Sequence, residues 1–453
     1  MAAAATIIPE SIAVHSVQEL AQRYIYANYV TGGSRCGPMS YLVLLIEDPR
    51  NTAVNTALDA VGLAALSNIR LSPRTMLKAQ REYTKALSQT NRALRDPIMC
   101  KADDTLAAVV LLGIYEVITC TDNSYIDRWM KHMDGAAKLI EIRGSDQLTR
   151  PEGVDMFTQL RAQIIVSRIY QEKYSSSILT QLTEEVKQYR DPNDVILDHL
   201  GNTVIRLTNF CADVKNKRIA KPSEIIRTAL SIDADLVSLL ISVPPSWSYA
   251  TVQIPMLDGK PITNAVWGSH YHVYGSIEAA TMWNNYRSAR IVVQELIYDT
   301  LRDLEGSRLH STSYPQQHSL AEQCRQTILQ LAEDICASVP FHFGLGTDEN
   351  DMFQDSLSNP LRESNGSTTV ATQSPSPSMP SNASDAALSP DGEARPISML
   401  SSSELKSKPH LLSHIPGFFE VAGTAGLNLM WPLLVAGNSG VASEGLRDWI
   451  IIV

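Results

Sequence analysis

One seventeen-residue run, Arg128-Trp129-Met130-Lys131-His132-Met133-Asp134-Gly135-Ala136-Ala137-Lys138-Leu139-Ile140-Glu141-Ile142-Arg143-Gly144, restricts the fold more than any other part of the chain. Trp129, Met133, Ala136, Ala137 and Ile140 recur every three or four positions, the spacing of one apolar stripe on a helix. Ser124 with Asp127 three residues on supplies a start signal, and Gly144 can take the left-handed conformation that ends a helix. Gly135 costs a helix interior about 1 kcal/mol relative to alanine. Its place beside Ala136 and Ala137 therefore predicts that another backbone passes close by.

The segment before it, Thr105 to Glu116, is apolar on nearly every side and opens after Asp103 and Asp104, both suitable caps. It reads as a buried central helix. An ionised carboxylate inside a core needs a charged or hydrogen-bonding partner, so Glu116 is expected to meet Arg128, His132 or Arg143.

Helical periodicity recurs over residues 17–29, 52–69, 74–94, 105–119, 125–143, 154–170, 195–210, 223–241, 276–304 and 320–337. Sustained alternation of the strand type is confined to residues 251–263, where Pro255, Asp258-Gly259 and Pro261 fit a short extended or hairpin excursion. Helix pairs of ~15–20 residues joined by short turns favour antiparallel packing. No fixed sequence period supports a repeat array. The expected fold class is all-α, an irregular multi-helix bundle of antiparallel helix pairs with a long disordered insertion. That insertion, residues 347–410, is rich in serine, proline and asparagine and poor in aromatic residues, so it cannot bury enough apolar surface to offset its ordering entropy. Its Ser-Pro pairs at Ser374, Ser376 and Ser389 are candidate phosphate acceptors. The expected domains are a disordered lead over 1–11, a helical domain over 12–346, the insertion, and C-terminal helices of the same domain over 411–453, where the apolar ending Trp449 to Val453 hints at truncation.

With 453 residues, 44% hydrophobic and 19% charged, the chain fits an ordinary globular protein. A formal net charge of −10 argues against a dedicated nucleic-acid surface, because phosphate binding is driven by clustered lysine and arginine. The apolar stretch over 418–436 is interrupted by Glu420, Asn428 and Pro432, a poor membrane span and a better buried helix. A zinc binuclear cluster needs six thiolates within roughly thirty residues. The six cysteines here are Cys36, Cys100, Cys120, Cys211, Cys324 and Cys336, and even the nearest pair is twelve residues apart.

Arg74, Lys78, Arg81, Lys85, Arg92 and Arg95 fall near multiples of four along one helix, with Met76, Ala79, Tyr83, Ala86 and Leu87 expected to pack inward. The basic stripe reads as a solvated face, with a surface for an acidic or phosphate-bearing partner as the sharper reading. His132 has no serine or cysteine nucleophile in a recognisable elbow beside it, so a hydrogen-bonded structural histidine is expected. His270 and His272 alternate as two possible metal ligands without a third in the neighbouring sequence, and are expected to be exposed loop histidines. His410 and His414 lack the glutamate of a metalloprotease motif. Trp283, Arg287 and Arg290 look like a helix–helix interface, the arginines bonding carboxylates or helix ends. A cavity lined by Trp129, Trp283 or Trp431 is the ligand-binding alternative. No glycine-rich phosphate loop, paired-carboxylate signature or nucleotide fingerprint occurs.

Four of these features, in order, resemble the fungal-specific transcription factor domain. They are the run Leu106 to Glu116; the Arg128–Gly144 segment with Arg128, Trp129, His132, Gly135, Ala136, Arg143 and Gly144; Trp283-Asn284-Asn285-Tyr286-Arg287 with Arg290-Ile291; and Trp431-Pro432 through Gly437 with Arg447 and Trp449. This all-helical regulatory region usually follows a zinc binuclear cluster in fungal activators, and here the resemblance covers most of residues 12–453 without the cluster.

The resemblance implies a nuclear protein that regulates RNA polymerase II transcription by binding and not by catalysis. It implies no catalytic residue, cofactor or metal. Expected partners are proteins of the transcription machinery or a second copy of the chain, with a small-molecule effector as a further possibility, and with neither direct DNA contact nor a membrane. The alternatives are a helical small-molecule binder or enzyme with an inter-helix pocket, which would need converging ionisable groups with displaced pKa values, or a truncated, non-functional family member.

Overall fold

The computed structural model describes residues 16–26, 39–48, 50, 52–120, 125–254, 256–257, 260–261, 266–306, 315–344, 368–370 and 418–452. The fold is all-α, with small β elements among the described residues. The chain divides into two compact units: Met1–Cys120 with Ser124–Leu139, and Thr121–Asn123 with Ile140–Val453.

The first unit contains α1 (Val17–Ile25), α2 (Leu42–Glu47), α3 (Thr52–Arg70), α4 (Pro73–Arg95), α5 (Asp103–Thr119) and most of α6 (Tyr125–Arg143). Helix α3 is buried almost continuously from Ala53 to Ser67 and packs against α1, α2, α4 and α5. Each neighbour is set by a local feature. Ser16 and Glu19 close a reciprocal capping box on α1. Gln18 and Gln22 then donate to the carboxylate of Asp59 on α3, at 2.5 and 2.7 Å. Gly62 permits that approach, since a Cβ there would lie 2.7 Å from the Ala21 carbonyl oxygen. Ser72 caps α4 and Pro73 occupies its first turn, where a missing N–H costs nothing.

Helix α5 is buried from Asp104 to Tyr115, as its uniformly apolar sequence predicts. Its start differs from expectation. The residue at the cap is Ala102, and Asp103 and Asp104 occupy the first turn, where their charge faces the positive end of the helix dipole and not the cap position. Helix α6 has the predicted extent, and Trp129, Met133, Ala136, Ala137 and Ile140 are all buried. Gly144 follows it with φ of +59°. The proposed Ser124 cap lies outside the described residues.

The second unit holds α7 (Pro151–Tyr170), α8 (Ser177–Glu185), α9 (Val195–Lys215), α10 (Pro222–Leu239), α11 (Ile277–Gly306), α12 (Pro315–His342), α13 (Phe418–Asn438) and α14 (Glu444–Ile452). Packing runs through successive partners: α7 on α9, α9 on α10, α10 on α11, α11 on α12, and α13 on both α11 and α12. One core cluster gathers Ile291, Ile328, Leu331, Ile335, Val435 and Leu446, with Trp267, Trp431 and Trp449 packed against it. Arg161 of α7 and Asp198 of α9 form a buried ion pair at 2.8 Å. Gly201 admits the guanidinium, with its Cβ position 3.3 Å from the Arg161 Cζ.

The expected extended excursion contains the β2–β3 hairpin (Met256–Leu257 with Lys260–Pro261), next to β1 (Tyr249–Gln253). Strand β1 pairs antiparallel with β4 (His270–Tyr274), Tyr249 opposite Tyr274 and Gln253 opposite His270. Its other edge takes β5 (Thr368–Val370). Apart from β5, the insertion expected over 347–410 lies outside the described residues, as do the lead over 1–11, Ser374, Ser376, Ser389, His410 and His414. Among the described residues, no helix is long and apolar enough to cross a membrane.

Candidate functional site

In the first unit, chemistry gathers at the end of α5. The Glu116 carboxylate accepts a 2.7 Å hydrogen bond from the Tyr83 hydroxyl of α4 and lies 3.1 Å from His132 Nε2 of α6. Tyr83 also stacks on Tyr115, with ring centroids 4.3 Å apart. Burial opposes ionisation of Glu116, but the hydrogen bonds from Tyr83 and His132 and the positive charges of His132 and Arg128 outweigh it. They hold the carboxyl below its ordinary range. The sequence pointed to His132 and Arg128 but missed Tyr83, whose helical position marked it as inward-facing without naming its partner. Arg143, the third candidate, is buried in the second unit instead.

The close approach predicted at Gly135 occurs elsewhere. Gly135 is exposed, and a Cβ there would meet only Val109 Cγ1 at 3.8 Å. The tight position is Gly113 on α5, where a Cβ would stand 2.9 Å from the His132 Cβ. The glycine that seats His132 against Glu116 is thus on the opposite helix.

Arg74, Lys78, Arg81, Lys85, Arg92 and Arg95 are all exposed on α4. At 1.5 Å per residue they span about 32 Å of helix. Ala79, Ala86, Thr75 and Thr90 form the buried side, and Met76 and Tyr83 are half-buried. Leu87 differs from expectation: it is 37% exposed, and Leu77 and Leu94 are exposed at 58% and 39%. Glu82, 3.5 Å from Lys85, borders the stripe.

The second unit buries a polar network around Arg287, which is 1% exposed. Its Nη1 donates to the Tyr274 hydroxyl at 2.7 Å and to Asn284 Oδ1 at 3.0 Å, and Nη2 lies 3.3 Å from His272 Nδ1. The expected carboxylate is Asp334, which pairs with Nε at 4.0 Å without a hydrogen bond. The rings of Tyr249, Trp283 and Tyr274 face the guanidinium at 5.1, 5.6 and 5.9 Å, an aromatic surround that favours a cation. Asn284 continues the network to Ser338 at 2.8 Å and His342 at 3.4 Å. Burial, reinforced by Arg287, pushes His342 down to about 3, so it stays neutral near pH 7.

Arg290 forms the carboxylate hydrogen bonds that Arg287 does not, forking onto Asp233 of α10 at 2.8 and 3.1 Å. Trp283 donates its indole N–H to the Trp247 carbonyl at 2.7 Å. Trp431 packs on the core and meets Tyr170 edge-on at 6.3 Å, and Pro432 is buried within α13. A surface cleft of about 550 Å³ in this unit is lined by charged and polar groups, among them Glu141, Arg168, Lys173, Tyr174 and Lys215, and not by any of the three tryptophans. His272 also departs from the exposed-loop expectation: it is on β4 and 2% exposed.

Residues 39–186 match the model of the fungal specific transcription factor domain. An uncharacterized protein of Emericella nidulans is 25% identical over 158 residues, a stretch that covers 33% of this chain and 33% of that one. The chain thus spans about a third of the length of the relative it matches. No solved structure matches the chain. The matched region contains α2 to α8, and with them the Glu116 cluster, the α4 cations and the Arg128–Gly144 segment. Across residues 39–186 the chain is thus similar to the fungal specific transcription factor domain.

Proposed function

We propose that the protein is a nuclear regulator of RNA polymerase II transcription that acts by binding other proteins, with the exposed cationic face of α4 as its docking surface. The observation that carries this reading is the coincidence of the family match with six exposed cations on one face of a helix inside it. Charge of one sign spread over such a face raises the encounter rate with an acidic partner and repels basic ones. The exposed Leu77 supplies apolar area beside the charges, which suits an acidic protein surface carrying apolar side chains better than a bare polyanion.

The cluster at Glu116 supports a binding role. Its carboxylate, phenol and imidazole are spent on one another between three helices, an arrangement that orders α4 against α5 and α6. No serine or cysteine takes part in the contacts of His132 described here. On this reading the Glu116 network fixes the orientation of the helix whose other face meets the partner.

The test is to tether the full chain to a reporter promoter through a heterologous DNA-binding module. Reporter output is expected to change, and to return to baseline when Lys78, Arg81 and Lys85 are all replaced by glutamate. An unchanged output with the natural chain, at normal abundance and nuclear location, contradicts the reading.

A further inference from the structure

Strand β4 and helix α12 bring together side chains that the sequence keeps apart. One ring nitrogen each of His270 and His272 and a carboxylate oxygen of Asp334 all lie within 4.8 Å of one another. Alternation along the strand puts both histidines on one face. Asp334 then supplies the third ligand-type atom from the helix packed on that strand. Tetrahedral ligands held about 2.1 Å from one ion stand about 3.4 Å apart, so closure needs the ligand atoms to draw together by up to about 1.4 Å through side-chain rotation.

Three further features favour an ion. His270 and Asp334 are half-exposed, which leaves a path from solvent, while His272 is buried and anchors the set. His272 is held in place by Tyr274, whose hydroxyl lies 3.2 Å from its Nδ1. The Asp334 carboxylate has Arg287 Nε 4.0 Å away, a neighbour that can orient it.

We propose that His270, His272 and Asp334 form a binding site for a borderline divalent transition ion of the zinc class, with a coordination position left open to solvent. The donor set of two imidazoles and one carboxylate fits that class better than calcium or magnesium, which take oxygen ligands. Nδ1 of His272 is engaged by Tyr274, 3.2 Å away, and by Arg287, so Nε2 is the nitrogen that faces the ion. Coordination selects the tautomer in which Nδ1–H donates to the Tyr274 hydroxyl, the usual second bond of a ligating histidine. Arg287 then loses His272 as an acceptor and keeps Tyr274 and Asn284. Ion binding is thereby coupled to the buried arginine network and clasps β4 to α12.

The experiment uses the untagged full chain, dialysed against Zn2+ and then metal-free buffer, with retained metal quantified, and with Co2+ as a spectroscopic probe of ligand type. One ion per chain is expected, with visible Co2+ bands and a zinc-dependent rise in Tm. His270→Ala and Asp334→Asn should each weaken binding by about tenfold or more, while His270→Cys, which restores a zinc ligand, recovers it and His199→Ala leaves it unchanged. Failure of the natural chain to retain zinc overturns the proposal. Equal retention by His270→Ala and Asp334→Asn also overturns it, leaving an adventitious ion only.

Discussion

Gly113 and His132 stand so close that a Cβ on the glycine would lie 2.9 Å from the Cβ of the histidine, on a helix pair that places His132 Nε2 3.1 Å from Glu116. The missing side chain of one residue makes room for the imidazole of the other. Gly113→Ala is expected to destabilise the protein by about 1–3 kcal/mol, because the obstruction is near-backbone and not a flexible tip. Gly135→Ala, on an exposed helical site with 3.8 Å of clearance, is expected to gain up to about 1 kcal/mol. Urea unfolding of the two variants checks the contrast, and equal effects would show that the helices are not in this register.

Glu116 should be sensitive to the loss of either partner. Tyr83→Phe removes one hydrogen bond to a partly buried carboxylate and should cost about 1–3 kcal/mol. The Glu116 carboxyl is held below its unfolded value near 4.5, so its contribution is fully present above that pH. It is lost as the pH falls through the lower folded value. The stability difference between the natural chain and Glu116→Gln should therefore shrink as the pH drops below about 4.5, which paired denaturation curves from pH 7 to 3 measure.

How much of this was legible in the sequence depended on the distance over which a signal acts. The helix over Tyr125–Arg143, its buried stripe and Gly144 at φ +59° were readable because periodicity and backbone chirality are local. Glu116 was recognisable as needing a partner because a charge in an apolar run is locally anomalous, and all three proposed neighbours lie on the next helix, from which His132 and Arg128 act on it. Tyr83, 33 residues away, was not assigned, since a half-apolar phenol at an inward position fits any core. Asp334 was missed for a related reason: one strand displays two histidines, but only tertiary packing selects the carboxylate beside them. The Gly135 expectation failed because a small residue in a helix marks permission for close approach and not its occurrence.

Asp198 is fully buried between two cations, with Arg161 at 2.8 Å and Arg190 at 3.7 Å. Asp198→Ala would leave Arg161 without its counter-charge in the interior. The expected loss is about 3–5 kcal/mol, larger than for any exposed ion pair among the described residues. Thermal unfolding compared with Arg206→Ala, which breaks a surface pair with Asp235, tests the ranking.

Glu295 gives the second unit a pH response of opposite sign. Burial pushes its carboxyl up to about 7, against hydrogen bonds from Ser439 and the Gly440 N–H that favour the charge. The folded chain therefore holds a proton that the unfolded chain has already released. Stability from this group falls as the pH rises from about 4.5 to about 7 and is level above that. Glu295→Gln should remove this slope, so that its denaturation midpoint changes less between pH 5 and pH 8 than that of the natural chain.

The α4 cations offer the most direct test of regulation by binding. Reversing exposed charges should alter stability by no more than about 0.5 kcal/mol, so a functional loss can be separated from unfolding. The measurement is transcript profiling of a strain lacking the chain, restored either with the natural protein or with the Lys78→Glu, Arg81→Glu, Lys85→Glu variant at equal nuclear abundance. The account predicts that deletion alters a defined transcript set, that the natural chain restores it, and that the charge-reversed chain does not. Transcripts indifferent to deletion, or restored equally by both proteins, would contradict it.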